Sequence, residues 1–127
     1  MDIGENTMSK SARSVFVFSL YLFVLGIILV VIPNNLLDIF SVPRTNEVWI
    51  RVVGMLALIL GFYYFQASRS EIKIFLQWTV YVRAAVLLFF IAFVILGFAP
   101  PILILFGFID AIAAVWTQLS LRSEKQA

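Results

Sequence analysis

Four long apolar stretches occupy most of this 127-residue chain and restrict the folds open to it. The first, residues 15–32, runs for eighteen residues without a charge. A stretch of that length can cross the hydrocarbon of a bilayer as an α-helix, in which every backbone group is satisfied internally. The pattern therefore predicts an all-α protein, an antiparallel four-helix transmembrane bundle.

The predicted bundle is a single domain between two short polar tails. Its spans lie at about 15–33, 48–67, 74–98 and 101–121, and the cytoplasmic tails cover residues 1–14 and 122–127. Lys10 and Arg13 before the first span resemble the start of a signal peptide. That span is longer than the apolar part of a signal peptide, and it ends near Pro33 without a small-residue cleavage site. We therefore predict that it is retained.

Composition supports a membrane protein and excludes several kinds of site. The chain is 63% hydrophobic and 13% charged, whereas a soluble domain is roughly half apolar and a quarter charged. It contains neither cysteine nor histidine, which excludes thiolate and imidazole metal ligands and thiol or imidazole catalysis. We predict no metal site, no catalytic residue and no cofactor other than a bound lipid or quinone.

Lysine and arginine are distributed unequally between the two sides of the predicted bundle. Six flank one side and two the other: Lys10, Arg13, Arg69, Lys73, Arg122 and Lys125 against Arg44 and Arg51. Positive residues collect on the cytoplasmic side of membrane proteins, so we predict that both termini are cytoplasmic. The expected location is the cell membrane, specifically a bacterial inner membrane, with the lipid bilayer as a partner.

Arg83 and Asp110 are single charges inside apolar stretches, and a charge at membrane depth is costly. Arg83 lies ten residues beyond Lys73, about 15 Å along a helix. Asp110 lies twelve residues before Arg122, about 18 Å on the same scale. The third and fourth spans are antiparallel because their loop is short. We therefore predict an intramembrane salt bridge between the two.

Small residues share a helical face with Asp110. Gly107, Ala111 and Ala114 follow its spacing, and small residues let membrane helices approach closely. Asp110 is therefore expected to point into the bundle. Two interpretations of the charge pair stay open: a structural pair that fixes helix register, and a functional pair in ligand binding or in proton or ion movement.

Glu47 and Arg51 stand at the start of the second span, four residues apart and in the order that favours a helical ion pair. Gly54 and Gly61 lie on the same helical face as Arg51, and a face of small residues is expected to pack against other helices. Arg51 is therefore expected to point into the bundle from the outer side of the membrane. There it is placed to contact an anionic headgroup or substrate. The alternative is an interfacial ion pair that anchors the helix end.

Tyr63, Tyr64 and Gln66 lie near the cytoplasmic end of the second span. They are candidates to line a polar pocket. Tyrosine is also common at membrane interfaces, so anchoring explains the two tyrosines equally well.

A short repeat follows the second and fourth spans. Arg69-Ser70-Glu71 recurs as Arg122-Ser123-Glu124. Duplication of a helical pair would explain the repeat, but the placement of arginine on the cytoplasmic side would produce similar positions without duplication.

The layout resembles the small four-span bacterial membrane proteins grouped as DoxX-like. The resemblance rests on the chain length, the four close-packed spans, the long first loop, and an Arg-x-x-Gly at residues 51–54. It covers the whole chain in layout but only a few residues in motif. It implies an accessory subunit, an electron-transfer partner or a chaperone of another membrane protein. Because the chain lacks cysteine, a thiol-based role is not implied.

We expect a non-enzymatic integral membrane protein, either an accessory or assembly subunit or a protein that binds a lipid or quinone-like ligand between helices. The expected protein partner is a second copy or another membrane protein. The alternative is a small oligomeric transporter or proton- or ion-conducting unit that uses Arg83 and Asp110. A lipid-modifying enzyme would need Asp110, Tyr63 or Glu47 as its acid or base. The basic residues follow membrane topology, so no nucleic-acid partner is predicted.

Overall fold

The computed structural model describes residues 8–126, and all regular secondary structure in that range is helical. Five helices follow in chain order: α1 (Lys10–Val31), α2 (Pro33–Ile39), α3 (Trp49–Arg69), α4 (Lys73–Ile95) and α5 (Ile102–Gln126). The four long helices run antiparallel to their neighbours in the chain, and this arrangement confirms the predicted all-α bundle.

The four long helices have the length and the apolar character to cross a membrane. Large hydrophobic side chains cover their outer faces, as Val24, Leu88 and Ile112 illustrate with exposed fractions of 60%, 68% and 68%. An apolar surface that extends over every long helix is suited to lipid rather than to water. The chain is therefore a multi-pass membrane protein.

The helices extend beyond the predicted spans at both ends of the chain. Helix α1 begins at Lys10 because Ser9 caps it, with the Ser9 hydroxyl accepting a hydrogen bond from the N–H of Ala12 at 3.1 Å. Helix α5 continues to Gln126, through residues predicted to be a polar tail. The helices are thus longer there than the predicted membrane spans, and residues 1–7 of the predicted first tail lie outside the described range.

The long helices pack as two pairs. Helix α1 packs along α3, helix α4 packs along α5, and contacts between α1 and α5 join the pairs. The start of α1, the α3–α4 turn and the last turns of α5 meet at one end, called here the termini end. Helix α2 and the α4–α5 turn (residues 96–101) lie at the opposite end, the loop end.

A short helix and loop, the α2 segment (residues 33–48), connect α1 to α3 at the loop end. The side-chain amide of Asn34 bonds to the backbone of Thr45 in both directions, at 3.1 Å and 2.9 Å. The ring of Phe40 meets the ring of Phe106 on α5 edge-on, with 5.1 Å between centroids. These contacts order the α2 segment and hold it against the end of α5.

Helices α1 and α3 approach closely where Gly26 faces Gly54. A Cβ atom added to Gly26 would lie 2.8 Å from the carbonyl oxygen of Gly54, and one added to Gly54 would lie 2.9 Å from that of Gly26. Ala57 and Gly61 continue the buried face of α3. The small-residue packing face predicted for the second span is therefore confirmed.

Helix α5 packs on α4 through the second predicted small-residue face. A Cβ atom added to Gly107 would lie 2.9 Å from the side chain of Leu87. Ala114 is buried, while Asp110 and Ala111 on the same face are half-buried. This face directs Asp110 toward the interior of the bundle, as predicted.

Helix α3 ends in a turn with an unusual residue at its left-handed position. Glu71 has a φ of 54°, and the N–H of Ile72 bonds to the carbonyl of Ala67 at 3.1 Å, as in a Schellman cap. A residue other than glycine costs roughly 1–2 kcal/mol there. Contacts of the Glu71 side chain with the start of α1 offset this cost.

We predict that Gly54→Ala lowers the free energy of unfolding by about 1–3 kcal/mol, because the new methyl group meets the backbone of Gly26. Gly61→Ala is the matched control, since its Cβ would lie 3.2 Å from the ring of Phe23, which can rotate. Reversible unfolding in mild detergent, followed by circular dichroism, measures both. Equal losses of stability in the two variants would contradict the close approach of the α1 and α3 backbones at Gly26 and Gly54.

Candidate functional site

A cavity of about 300 Å³ lies between the helices at the loop end. Its volume is at the lower end of the range for ligand pockets, about 300–1,000 Å³. Most of its wall is aliphatic. Leucine and valine side chains from α1, α2, α3 and α5 contribute to it, among them Leu25, Leu29, Leu36, Leu37, Val53 and Leu103. Proline at the start of α2 and in the α4–α5 turn ends the flanking helices, so that the chain reverses around this space.

Tyr21 and Asp110 are the polar side chains on the wall of this cavity, which we call the Asp110 cavity. Among residues 8–126, the Asp110 carboxylate takes part in no side-chain hydrogen bond and no ion pair. An unpaired carboxylate in apolar surroundings costs free energy. Its position on a cavity wall therefore points to a role in binding rather than in stability.

Arg83 is the other charge inside the bundle, and it is held by hydroxyl and carbonyl oxygens. Its side chain is 1% exposed. Nη2 donates to Thr79 Oγ1 at 3.0 Å and to Thr117 Oγ1 at 2.9 Å, and Nε donates to the carbonyl of Thr79 at 3.1 Å. The guanidinium also lies 4.8 Å from the ring centroid of Phe18. Within the described part of the chain, its Nη1 has no hydrogen-bond partner.

The predicted salt bridge between Arg83 and Asp110 is not formed in the described structure, where the ion pairs are Arg44–Asp38, Lys73–Glu71 and Lys73–Glu124.

The directions of the two side chains explain why Arg83 and Asp110 do not contact each other, although they lie at similar depth in the predicted membrane. Side chains lean toward the N-terminus of their own helix. Helix α4 starts at the termini end, so Arg83 leans back toward Thr79. Helix α5 starts at the loop end, so Asp110 leans the other way, into the cavity. The two side chains start at similar depth on antiparallel helices and therefore point toward opposite ends of the bundle.

A series of hydroxyl groups connects Arg83 with the termini end. The hydroxyls of Thr117 and Ser14 are hydrogen-bonded to each other at 2.6 Å, and Ser14 Oγ donates to the carbonyl of Ser11 at 2.7 Å. Ser11 Oγ donates to Glu124 at 2.7 Å. Polar contacts on α1, α4 and α5 thus form a column from the surface to the buried guanidinium, interrupted at Ser11, where Ser14 bonds to the backbone carbonyl and Glu124 to the hydroxyl.

The repeated glutamates close this column at the termini end. Glu71 accepts hydrogen bonds from the N–H and Oγ of Ser9 at 2.8 Å and 2.7 Å, and Glu124 accepts the same pair from Ser11 at 2.9 Å and 2.7 Å. Lys73 Nζ lies 3.3 Å from Glu71 and 2.7 Å from Glu124. The two copies of the Arg-Ser-Glu repeat therefore hold equivalent positions around the start of α1.

The ionisation of Glu71 reflects these contacts. Partial burial acts to raise the pKa of its carboxyl, but the hydrogen bonds from Ser9 and the charge of Lys73 outweigh burial, so the pKa lies below its usual value. The carboxylate form is thus the one that holds the start of α1 at neutral pH.

Glu47 and Arg51 do not form the predicted ion pair. Helix α3 begins at Trp49, so Glu47 lies in the preceding loop and the helical spacing does not apply. Arg51 Nη1 instead donates to the carbonyl oxygens of Val30 and Val31 at the end of α1. Arg51 therefore points toward a neighbouring helix, as expected, but it stays exposed and satisfies a helix terminus.

The structure does not bring Tyr63, Tyr64 and Gln66 together. Tyr63 and Gln66 are exposed on the outer face of α3. Tyr64 is buried, with its ring centroid 6.0 Å from that of Phe18 and 5.9 Å from that of Phe75. Because Tyr64 is buried while Tyr63 and Gln66 are exposed, the three side chains do not line a common pocket, and none of them lines the Asp110 cavity.

Sequence reasoning missed Thr79 and Thr117 as partners of Arg83, and Ser11 and Ser14 as members of the column. One signal was available for Thr79, which precedes Arg83 by four residues and so lies on the same helical face. The pairing of Thr117 with Ser14 joins the last helix to the first, and spacing along the chain carries no signal for that contact.

No protein-family model, no curated protein and no solved structure matches this chain. The resemblance to DoxX-like proteins thus stays a prediction based on layout, and the case for a function rests on the geometry described above.

We predict that Asp110→Leu leaves the free energy of unfolding unchanged or raises it, because the change removes an unpaired carboxylate from apolar surroundings. Thr117→Val should lower it by about 1–3 kcal/mol, because a buried guanidinium loses an acceptor. Thr117→Ser keeps the hydroxyl and serves as the control. A loss in Asp110→Leu as large as that in Thr117→Val, measured by unfolding in detergent, would show that Asp110 is paired.

Proposed function

We propose that this chain is a non-enzymatic membrane protein that holds a lipophilic ligand, such as a lipid or a quinone-like molecule, in the Asp110 cavity. The observation that carries the proposal is an unpaired carboxylate on the wall of an otherwise apolar cavity. Ligand sites commonly combine an apolar wall with a few polar groups that fix the orientation of the ligand.

Three features support ligand binding over a purely structural role for the cavity. The wall offers aliphatic and aromatic contact to a hydrophobic tail and one charged group to a polar head. The α2 segment, tied by Asn34 and Thr45, supplies part of the wall and limits its opening. Arg83 lies outside the wall and is already held by oxygens, so it does not neutralise Asp110 by contact.

The unequal distribution of lysine and arginine supports a cytoplasmic location for the termini end. The Asp110 cavity then lies in the outer half of the membrane, within reach of lipophilic molecules in the outer leaflet. In a bacterial inner membrane, this side faces the periplasm. A role as an accessory or assembly subunit is compatible with such a site, because the outer faces of all four long helices are free to contact a second membrane protein.

The hydroxyl column favours a second candidate, a small oligomeric transporter or proton-conducting unit. The column reaches from Glu124 to Arg83, which is the other charge inside the bundle besides Asp110. At the inner end of the column, the guanidinium packs against buried Phe18, which does not line the cavity. Proton flux into liposomes that is abolished by Asp110→Asn would favour this candidate over simple binding.

We predict that native mass spectrometry of the protein, extracted in mild detergent, shows a bound small molecule or lipid. Leu25→Trp fills the cavity and should remove the bound species, because Leu25 lines the wall. Val24→Trp is the matched control, since the neighbouring residue is 60% exposed on the lipid-facing side of α1.

Two results would contradict the proposal. One is a wild-type protein that carries no bound species under conditions in which it remains folded. The other is a bound species that both tryptophan variants retain equally, which would place the ligand on the outer surface of the bundle.

A further inference from the structure

Among residues 8–126, the Asp110 carboxylate has no positively charged partner. At the loop end, Arg44 is bound to Asp38 through Nη2 at 2.7 Å and through Nε at 3.1 Å. Arg51 donates to the carbonyls at the end of α1. Both arginines at this end of the described structure are therefore engaged elsewhere.

Arg83 does not supply the missing contact either. Its guanidinium is held by Thr79 and Thr117 and is 1% exposed. It is absent from the cavity wall, on which Asp110 is the one charged side chain. A molecule inside the cavity thus meets a carboxylate without meeting a guanidinium, and this arrangement selects a positively charged or hydrogen-bond-donating head over an anionic one.

Aromatic rings on the same wall favour a cation over a neutral donor. Tyr21, Phe90 and Phe106 line the cavity together with Asp110. An ammonium group is attracted by the faces of aromatic rings as well as by a carboxylate, and both attractions strengthen where water is excluded. The rest of the wall is aliphatic and matches a hydrocarbon tail rather than a second polar group.

We propose that the Asp110 cavity binds a lipophilic primary amine, with the ammonium group on the Asp110 carboxylate and the hydrocarbon tail among the leucines. This inference rests on the proposed function and adds the chemical class of the ligand head. The amine is either a free amphiphile or the headgroup of an aminolipid, since both present the same ammonium group to the carboxylate.

Competition binding with matched tails tests the proposal. The protein is placed in nanodiscs of phosphatidylcholine, and tritiated decylamine is displaced by unlabelled decylamine, decanol or decanoic acid, with empty nanodiscs as the background. Decylamine should displace the label at a concentration roughly tenfold lower than decanol does, because it makes a charge-assisted contact that decanol lacks. Decanoic acid should compete least.

Variants locate the contact. Asp110→Asn should remove the preference for decylamine over decanol, while Asp110→Glu should retain most of it. Glu47→Gln is the matched control, because it removes an exposed carboxylate at the same end of the bundle and should change nothing. Tritiated decanol that still binds to Asp110→Asn shows that this variant is folded.

The outcomes separate failure of this inference from failure of the proposed function. Equal displacement by decylamine and decanol, or an amine preference that survives Asp110→Asn, would overturn the amine proposal. In either case, if the binding of the labelled probe is lost in Leu25→Trp, the proposed function survives, because the cavity then still binds lipophilic ligands. Absence of specific binding by either labelled probe would overturn both.

The source of the amine is distinguished by repeating the experiment in nanodiscs that contain phosphatidylethanolamine. Loss of displaceable decylamine binding there assigns the ammonium site to a lipid headgroup. Unchanged binding assigns it to a free amphiphile, and both results support an ammonium group on Asp110.

Discussion

A guanidinium buried in a membrane bundle needs several hydrogen-bond acceptors, and the arrangement of the helices around Arg83 supplies them. Thr79 provides two oxygens from the same helix, Thr117 provides one from α5, and Phe18 covers the guanidinium from α1. Three helices must therefore keep their relative positions to hold this cation through Nε and Nη2, while Nη1 has no hydrogen-bond partner among the described residues. The contacts between Ser14 and Thr117 and the glutamate contacts at the termini end hold α1 in that position.

The hydrogen-bond partners of Arg83 determine why Asp110 is left without a contact. Because hydroxyl and carbonyl oxygens accept its hydrogen bonds, Asp110 is not required as a counterion by contact. Antiparallel helices direct the two side chains toward opposite ends, and Asp110 is left on the wall of an apolar cavity. A carboxylate that contributes no internal bond is retained at a cost in stability, and sites of that kind are commonly functional.

Apolar length, small-residue faces and charge placement were sufficient to predict the helical bundle and the two interior charges. Gly54 and Gly107 pack as their spacing predicts. The salt bridge was wrong because residue counting gives the depth of a Cα atom but not the direction of its side chain. The partners of Arg83 on other helices, and the seating of Ser9 and Ser11 on Glu71 and Glu124, depend on tertiary contacts that spacing along the chain does not reveal.

The claim that Asp110 faces an accessible cavity while the bundle is closed one turn further along can be tested directly, because the chain contains no cysteine. Asp110→Cys and Ala114→Cys place single thiols on one face of α5, where Ala114 is 3% exposed. Each variant is treated with methyl methanethiosulfonate, a small uncharged reagent, and labelling is followed by intact mass. The structure predicts labelling at position 110 and protection at position 114, whereas protection of both thiols would contradict an open cavity beside Asp110.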